Sequence, residues 1–97
     1  MKKDILNKED AQELATLALL FIANDSELLQ RFLNITGIAA NDIRKAASTV
    51  GFHAGVLQFI AAHEPTLLEF AKKKSFSPNL IEKALLFLPG GEKIEWN

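Results

Sequence analysis

The chain of 97 residues contains no cysteine. Disulfides and thiolate metal sites are thereby excluded, and the composition suits a reducing cytoplasm without demanding one. Net charge is nearly absent as well, at −1, so no long-range field draws nucleic acid or anionic lipid to the protein. Histidine is scarce. His53 and His63 stand ten positions apart, too far for one turn of one helix, and no H-x-x-x-H or paired carboxylate completes a ligand set. His63 falls at an expected helix end, where a structural role is ordinary. No serine lies in a G-x-S-x-G frame; Ser26, Ser48, Ser75 and Ser77 fall at expected helix boundaries and are read as caps. Gly90-Gly91 before Lys93 lacks the spacing of a phosphate loop and follows a helix instead of a strand.

Long hydrophobic runs are also missing. The apolar stretch from Leu14 to Ala23 is about half of the ~20 residues a bilayer span needs. Lys2 and Lys3 precede it, but Asp4, Glu9, Asp10 and Glu13 intervene and no small-x-small cleavage pattern follows, so no signal peptide is expected. A buried helix in a cytoplasmic protein is expected, with no membrane contact. Hydrophobic residues at 48% against 24% charged argue against disorder. At this length a single domain over residues 1–97 can bury one modest core.

What the chain does have is a repeat. Phe21-Ile22-Ala23 returns as Phe59-Ile60-Ala61, an offset of 38 that holds without a gap. Leu29 falls on Leu67, Phe32 on Phe70, Ile38 on Phe76, Ile43 on Ile81 and Lys45 on Lys83. A fixed period implies units that bury their apolar faces against each other. No strand-like alternation appears, so the expected architecture is all-α: a compact six-helix domain built from two tandem three-helix repeats, at about 17–47 and 55–85. Residues 89–97 form a C-terminal tail.

Within each unit the helix signals are local. Asn7 is an N-cap candidate, with Glu9 and Asp10 in the first turn and an acidic solvated face formed by Glu9, Asp10 and Glu13. Leu14, Ala18, Phe21 and Ile22 make one stripe. Asn24 or Asp25 caps a second helix that ends at Thr36-Gly37, with Gly37 in the left-handed C′ conformation and Ile38 as an apolar plug. A third helix is expected over about 40–47. A fourth, over about 50–62, places Phe52, Val56, Phe59 and Ile60 on one face, and Gly51 and Gly55 are expected to permit close helix approach. Pro65 begins a fifth helix ending in Lys72-Lys73-Lys74; Ser77-Pro78 starts a sixth, stopped by Pro89-Gly90-Gly91.

The run Phe21-Ile22-Ala23-Asn24-Asp25, with Arg31-Phe32-Leu33 and Thr36-Gly37-Ile38, resembles a small bacterial family of uncharacterised helical proteins. That family's pattern closes with a proline-glycine-glycine like Pro89-Gly90-Gly91. It often carries proline or aspartate after the plug residue, where this chain has Ala39-Ala40. The resemblance implies no activity and no catalytic residues.

No nucleophile–base pair, metal cluster or phosphate loop is left to carry catalysis, so neither an enzyme nor a cofactor is expected. The function expected is a helical protein-interaction module, monomeric or weakly dimeric, whose partner the sequence does not name. The alternative is a helix-turn-helix nucleic-acid binder using the helices around Gly37. Its phosphate contacts would be Arg44 and Lys45, with Lys72, Lys73 and Lys74 as the basic cluster, although the net charge speaks against it. The basic run is otherwise explained by the dipole of the helix end. Ile94 and Trp96 are too apolar for a plain solvated tail and are candidate partner contacts.

Overall fold

The structure is a computed structural model and describes residues 4–91. These form six α-helices and, among the described residues, no strand: α1 (Lys8–Ala23), α2 (Ser26–Thr36), α3 (Ile43–Ala46), α4 (Phe52–Ala61), α5 (Glu64–Lys74) and α6 (Asn79–Leu85). The core lies where α1 crosses α4, and α2, α5 and α6 pack around that pair.

Asn7 starts α1 by accepting the Asp10 N–H at 2.8 Å. Asp10 answers by accepting the Leu6 N–H at 2.9 Å, so Asn7 satisfies a donor the helix end leaves free and Asp10 ties down the residue before the cap. Asp10 is only 6% exposed. The expected acidic face is therefore incomplete, because Asp10 turns inward to serve the cap. Just upstream, Asp4 accepts from Lys83 of α6 at 2.6 Å and from the Ile5 N–H at 2.8 Å. The Lys83 bond chiefly, with the Ile5 N–H behind it, holds the Asp4 carboxyl below the usual aspartate value.

Asp25 caps α2, its Oδ1 accepting the N–H groups of Glu27 and Leu28 at 3.1 Å each. Gly37 ends the helix at φ 75°, and Ile38 packs against the core behind it. The segment expected as a third helix divides into a 3₁₀ turn, Ala40–Asp42, and the four residues of α3. No side chain caps either piece, in keeping with Ala39-Ala40 at the entry.

The start of α4 departs from expectation. Gly51 has φ 91°, outside the helical region, so the helix opens at Phe52 and leaves Val50 exposed. Gly51 lies instead against the Pro89-Gly90-Gly91 turn: a Cβ on Gly90 would stand 3.5 Å from the Gly51 Cα. Gln58 fastens the same turn by donating to the Gly90 carbonyl at 2.9 Å. Ser77 accepts the Asn79 N–H at 3.4 Å at the start of α6.

The core is dominated by phenylalanine. Phe32 lies edge-on between Phe59 and Phe52, at centroid distances of 5.2 and 6.5 Å. Phe70 lies between Phe21 and Phe76 at 5.1 and 5.2 Å. Helices α2 and α5 begin and end 38 residues apart, and so do the last residues of α1 and α4. Both α2 and α5 close on a left-handed residue, Gly37 and Ser75.

Candidate functional site

Where α2, α4 and α5 meet, three polar side chains converge. Arg31, on the middle of α2, donates from Nη2 to Thr66 Oγ1 at 3.3 Å and meets His63 Nδ1 at 3.2 Å. His63 Nδ1 is itself 2.7 Å from Thr66 Oγ1. A guanidinium only donates, so the Arg31–His63 contact is a hydrogen bond in the tautomer that keeps its ring proton on Nε2. Thr66 is buried; Arg31 is half-buried, its Cζ 5.6 Å from the centre of the Phe59 ring. Among the described residues Arg31 has no carboxylate partner, so its charge is held by neutral groups and an aromatic face.

His63 occupies the N-cap position of α5 without capping it, since its side chain takes no backbone N–H. Pro65, at the helix start, removes one donor that a cap would otherwise serve. The equivalent position of α2 is the fully engaged Asp25. Freed from the backbone, His63 turns to Thr66 and Arg31.

Two open cavities share this cluster. One, of about 340 Å³, lies between α2 and α5 and is lined by Asp25, Glu27, Arg31, His63 and Glu69 among others. The second, of about 490 Å³, lies on the other side of Arg31 over α4, against Ile35, Gly55, Phe59 and Ala62. Ile35 stands at its lip, 67% exposed.

Gly55 corrects the sequence expectation. A Cβ built there meets nothing within 4 Å, so this glycine does not bring two helices together. It leaves the second cavity without a side chain on that part of its wall. Glycine inside a helix costs about 1 kcal/mol relative to alanine. Gly55→Ala is accordingly expected to raise stability by up to about 1 kcal/mol, read from chemical denaturation. A loss of stability would show that the position is packed.

The residues singled out from sequence lie elsewhere. Lys72, Lys73 and Lys74 are exposed on the last turn of α5, where the helix dipole favours them, and Lys73 Nζ stands 5.7 Å from the centre of the Phe21 ring. Arg44 and Lys45 are exposed on α3. The structure does not gather these five cations on one helix. Ile94 and Trp96 fall outside the described residues. His53 borders a smaller cavity of about 210 Å³ near Lys8 and Leu88. No group of three or more His, Asp or Glu side chains among the described residues is placed to hold a metal ion. No helix there is long and apolar enough to cross a membrane.

Sequence reasoning missed Arg31, Thr66 and the open wall at Gly55. Arg31 was legible only as a residue of a motif, and its partners come from 32 and 35 positions away. The one local signal was a glycine in the middle of an otherwise strong helix.

The features define a small all-helical protein with an open cleft beside an arginine–histidine–threonine cluster. Residues 8–91 match the family described as Protein of unknown function (DUF3572), and the chain belongs to that family. No curated protein and no solved structure matches the chain.

Proposed function

We propose that the protein is a non-catalytic helical interaction module, built from two related three-helix halves, whose partner docks in the cleft between α2, α4 and α5. The observation that carries this reading is the second cavity: about 490 Å³, open, walled by Ile35, Gly55, Phe59 and Ala62, with one cation at its edge. A concave apolar surface with a few convergent polar groups is the usual form of a binding site. In the cluster beside it Thr66 Oγ1 lies 2.7 Å from His63 Nδ1, but Arg31 donates to that same nitrogen and no carboxylate among the described residues orients the ring, so the arrangement favours binding over nucleophilic chemistry.

Relatedness of the halves draws support from the shared offset of 38 in sequence, from helix ends placed 38 apart and from the paired left-handed caps. The ring contacts add to it. Phe21 of the first half meets Phe70 of the second, and Phe59 of the second meets Phe32 of the first, which is the exchange a twofold relation produces. The helix-turn-helix alternative would have to read bases from α3, whose four residues span about 6 Å. It gains nothing from that length.

The full chain, immobilised and exposed to extract of its own source cell, is expected to retain a protein that then binds the purified chain saturably in solution. Retention of no protein that binds in the purified state would overturn the reading.

A further inference from the structure

The cleft carries more than an apolar hollow. Along α2 its lining runs from Asp25 to Thr36, a distance of about 17 Å at the helical rise per residue. That length matches about five residues of extended chain. The chemistry changes along it. At one end are Ile35, Gly55, Phe59 and Ala62; in the middle is Arg31, held by His63 and Thr66; at the other end are Glu27 and Glu69. Arg31 and His63 belong to both cavities, so the two are parts of one track.

Three independent features mark this track as a binding surface. The first is Gly55, where a side chain would have free room, yet the helix keeps its least favourable ordinary residue. The second is Arg31, a half-buried cation with no carboxylate partner among the described residues. A carboxylate from outside could meet its planar fork with two parallel bonds, the strongest arrangement open to it. The third is the pair Glu27 and Glu69, which form no ion pair among the described residues while sharing the far cavity.

Resting on the interaction-module reading, we infer that the cleft recognises a short peptide segment of a partner protein that presents, in order, an apolar side chain, a carboxylate and a basic side chain within about five residues. The apolar side chain lies over Gly55 between Ile35 and Phe59. The carboxylate pairs with Arg31, and the basic side chain lies between Glu27 and Glu69. A peptide fits better than a compact small molecule because the track is long and open and its three chemistries are spread along one helix. Burial of the apolar anchor supplies affinity, while the alternation of charge fixes register and direction.

The test uses the full chain and a random-peptide library displayed on phage, with the recovered peptides then synthesised and titrated by fluorescence anisotropy. Recovered sequences are expected to share the apolar–acidic–basic order. Gly55→Leu, which fills open space, should keep the circular dichroism of the wild type and melt no lower than it, yet lower affinity about tenfold or more, the scale of blocking one anchor pocket. Arg31→Gln should lower it comparably and remove the part of the salt dependence carried by the Arg31–carboxylate pair, leaving the part carried by Glu27 and Glu69. Arg31→Glu should regain binding when the acidic residue of the peptide is replaced by lysine, a rescue that a damaged fold would not give. Peptides that lack the order, or that bind Gly55→Leu and Arg31→Gln with unchanged affinity, would overturn the inference and leave the interaction module standing on another surface. Recovery of no peptide, together with retention of no binding protein from extract, would overturn both.

Discussion

Phe32→Ala is expected to lower the stability of the protein by about 3–5 kcal/mol, the usual cost of emptying a fully buried phenylalanine site. Phe32 is 1% exposed and stands between the rings of Phe59 and Phe52, so the substitution removes two edge-to-face contacts as well as the buried area. The surroundings have little freedom to collapse into the space, because both flanking rings are anchored on α4 while Phe32 belongs to α2. Small proteins are held by roughly 5–15 kcal/mol in total, so the variant should sit near the edge of folding. Phe70→Ala should cost a similar amount, since Phe70 is 0% exposed and lies between Phe21 and Phe76. Urea denaturation of the two variants side by side makes the measurement. Unequal losses, one large and one close to zero, would contradict the proposed twofold relation between the halves.

The second large effect is expected at Gly91. A Cβ there would lie 2.0 Å from the Leu85 carbonyl oxygen and 3.0 Å from that of Leu88. Both are backbone atoms, so no rotamer change relieves the clash and the turn has to open. Opening it exposes Leu88, now 5% exposed, and breaks the bond from Gln58 to the Gly90 carbonyl. Gly91→Ala should therefore cost about 2–4 kcal/mol, combining one buried leucine with one hydrogen bond. Gly37 provides the contrast. It has φ 75°, but a methyl group at its Cβ position would meet nothing within 4 Å. Gly37→Ala thus incurs only the left-handed backbone penalty of about 1–2 kcal/mol. Thermal melts of the two variants should rank Gly91→Ala below Gly37→Ala; the reverse order would show that the turn yields easily.

The contrast between these glycines shows how far the sequence could be read. Gly37 was legible because its reason is local: a helix ends there, and the chain needs a left-handed residue to turn. Phe32, Phe59 and Phe70 were legible through periodicity, since a buried face repeats with the helix. Asn7 was legible as a cap, and Asp25 as one of two candidates with Asn24, because a cap serves N–H groups two or three residues ahead. Gly51 and Gly55 look alike on paper, two glycines four positions apart in an apolar stretch. Gly51 bends the chain and meets the Gly90 turn, whereas Gly55 faces open space. That difference depends on elements distant in sequence. Asp10 escaped the sequence for a related reason, as helical position alone does not reveal that the preceding loop folds back onto its carboxylate.

The same limit applies to the cleft. Arg31 belongs to a recognisable motif, but its hydrogen bonds arise only when α2 lies beside the start of α5. His63 does stand at a helix boundary, as its position in the sequence implies. That its ring leaves the backbone for Arg31 and Thr66 follows from tertiary packing alone.

A body with the proposed twofold internal relation would ordinarily offer each of its hollows twice. Here the corresponding positions differ. The position 38 residues before Gly55 is Leu17, a side chain packed against the core, and the counterpart of Ile35 is Lys73, whose ammonium lies over Phe21. The counterpart of Arg31 is Glu69, which reverses the charge. Under the proposed relation, one half has a vacant seat where the other has a filled one of altered charge. If the cleft is the docking site we propose, such a protein would be monovalent: each chain would engage a single segment, capping or carrying a partner without crosslinking two.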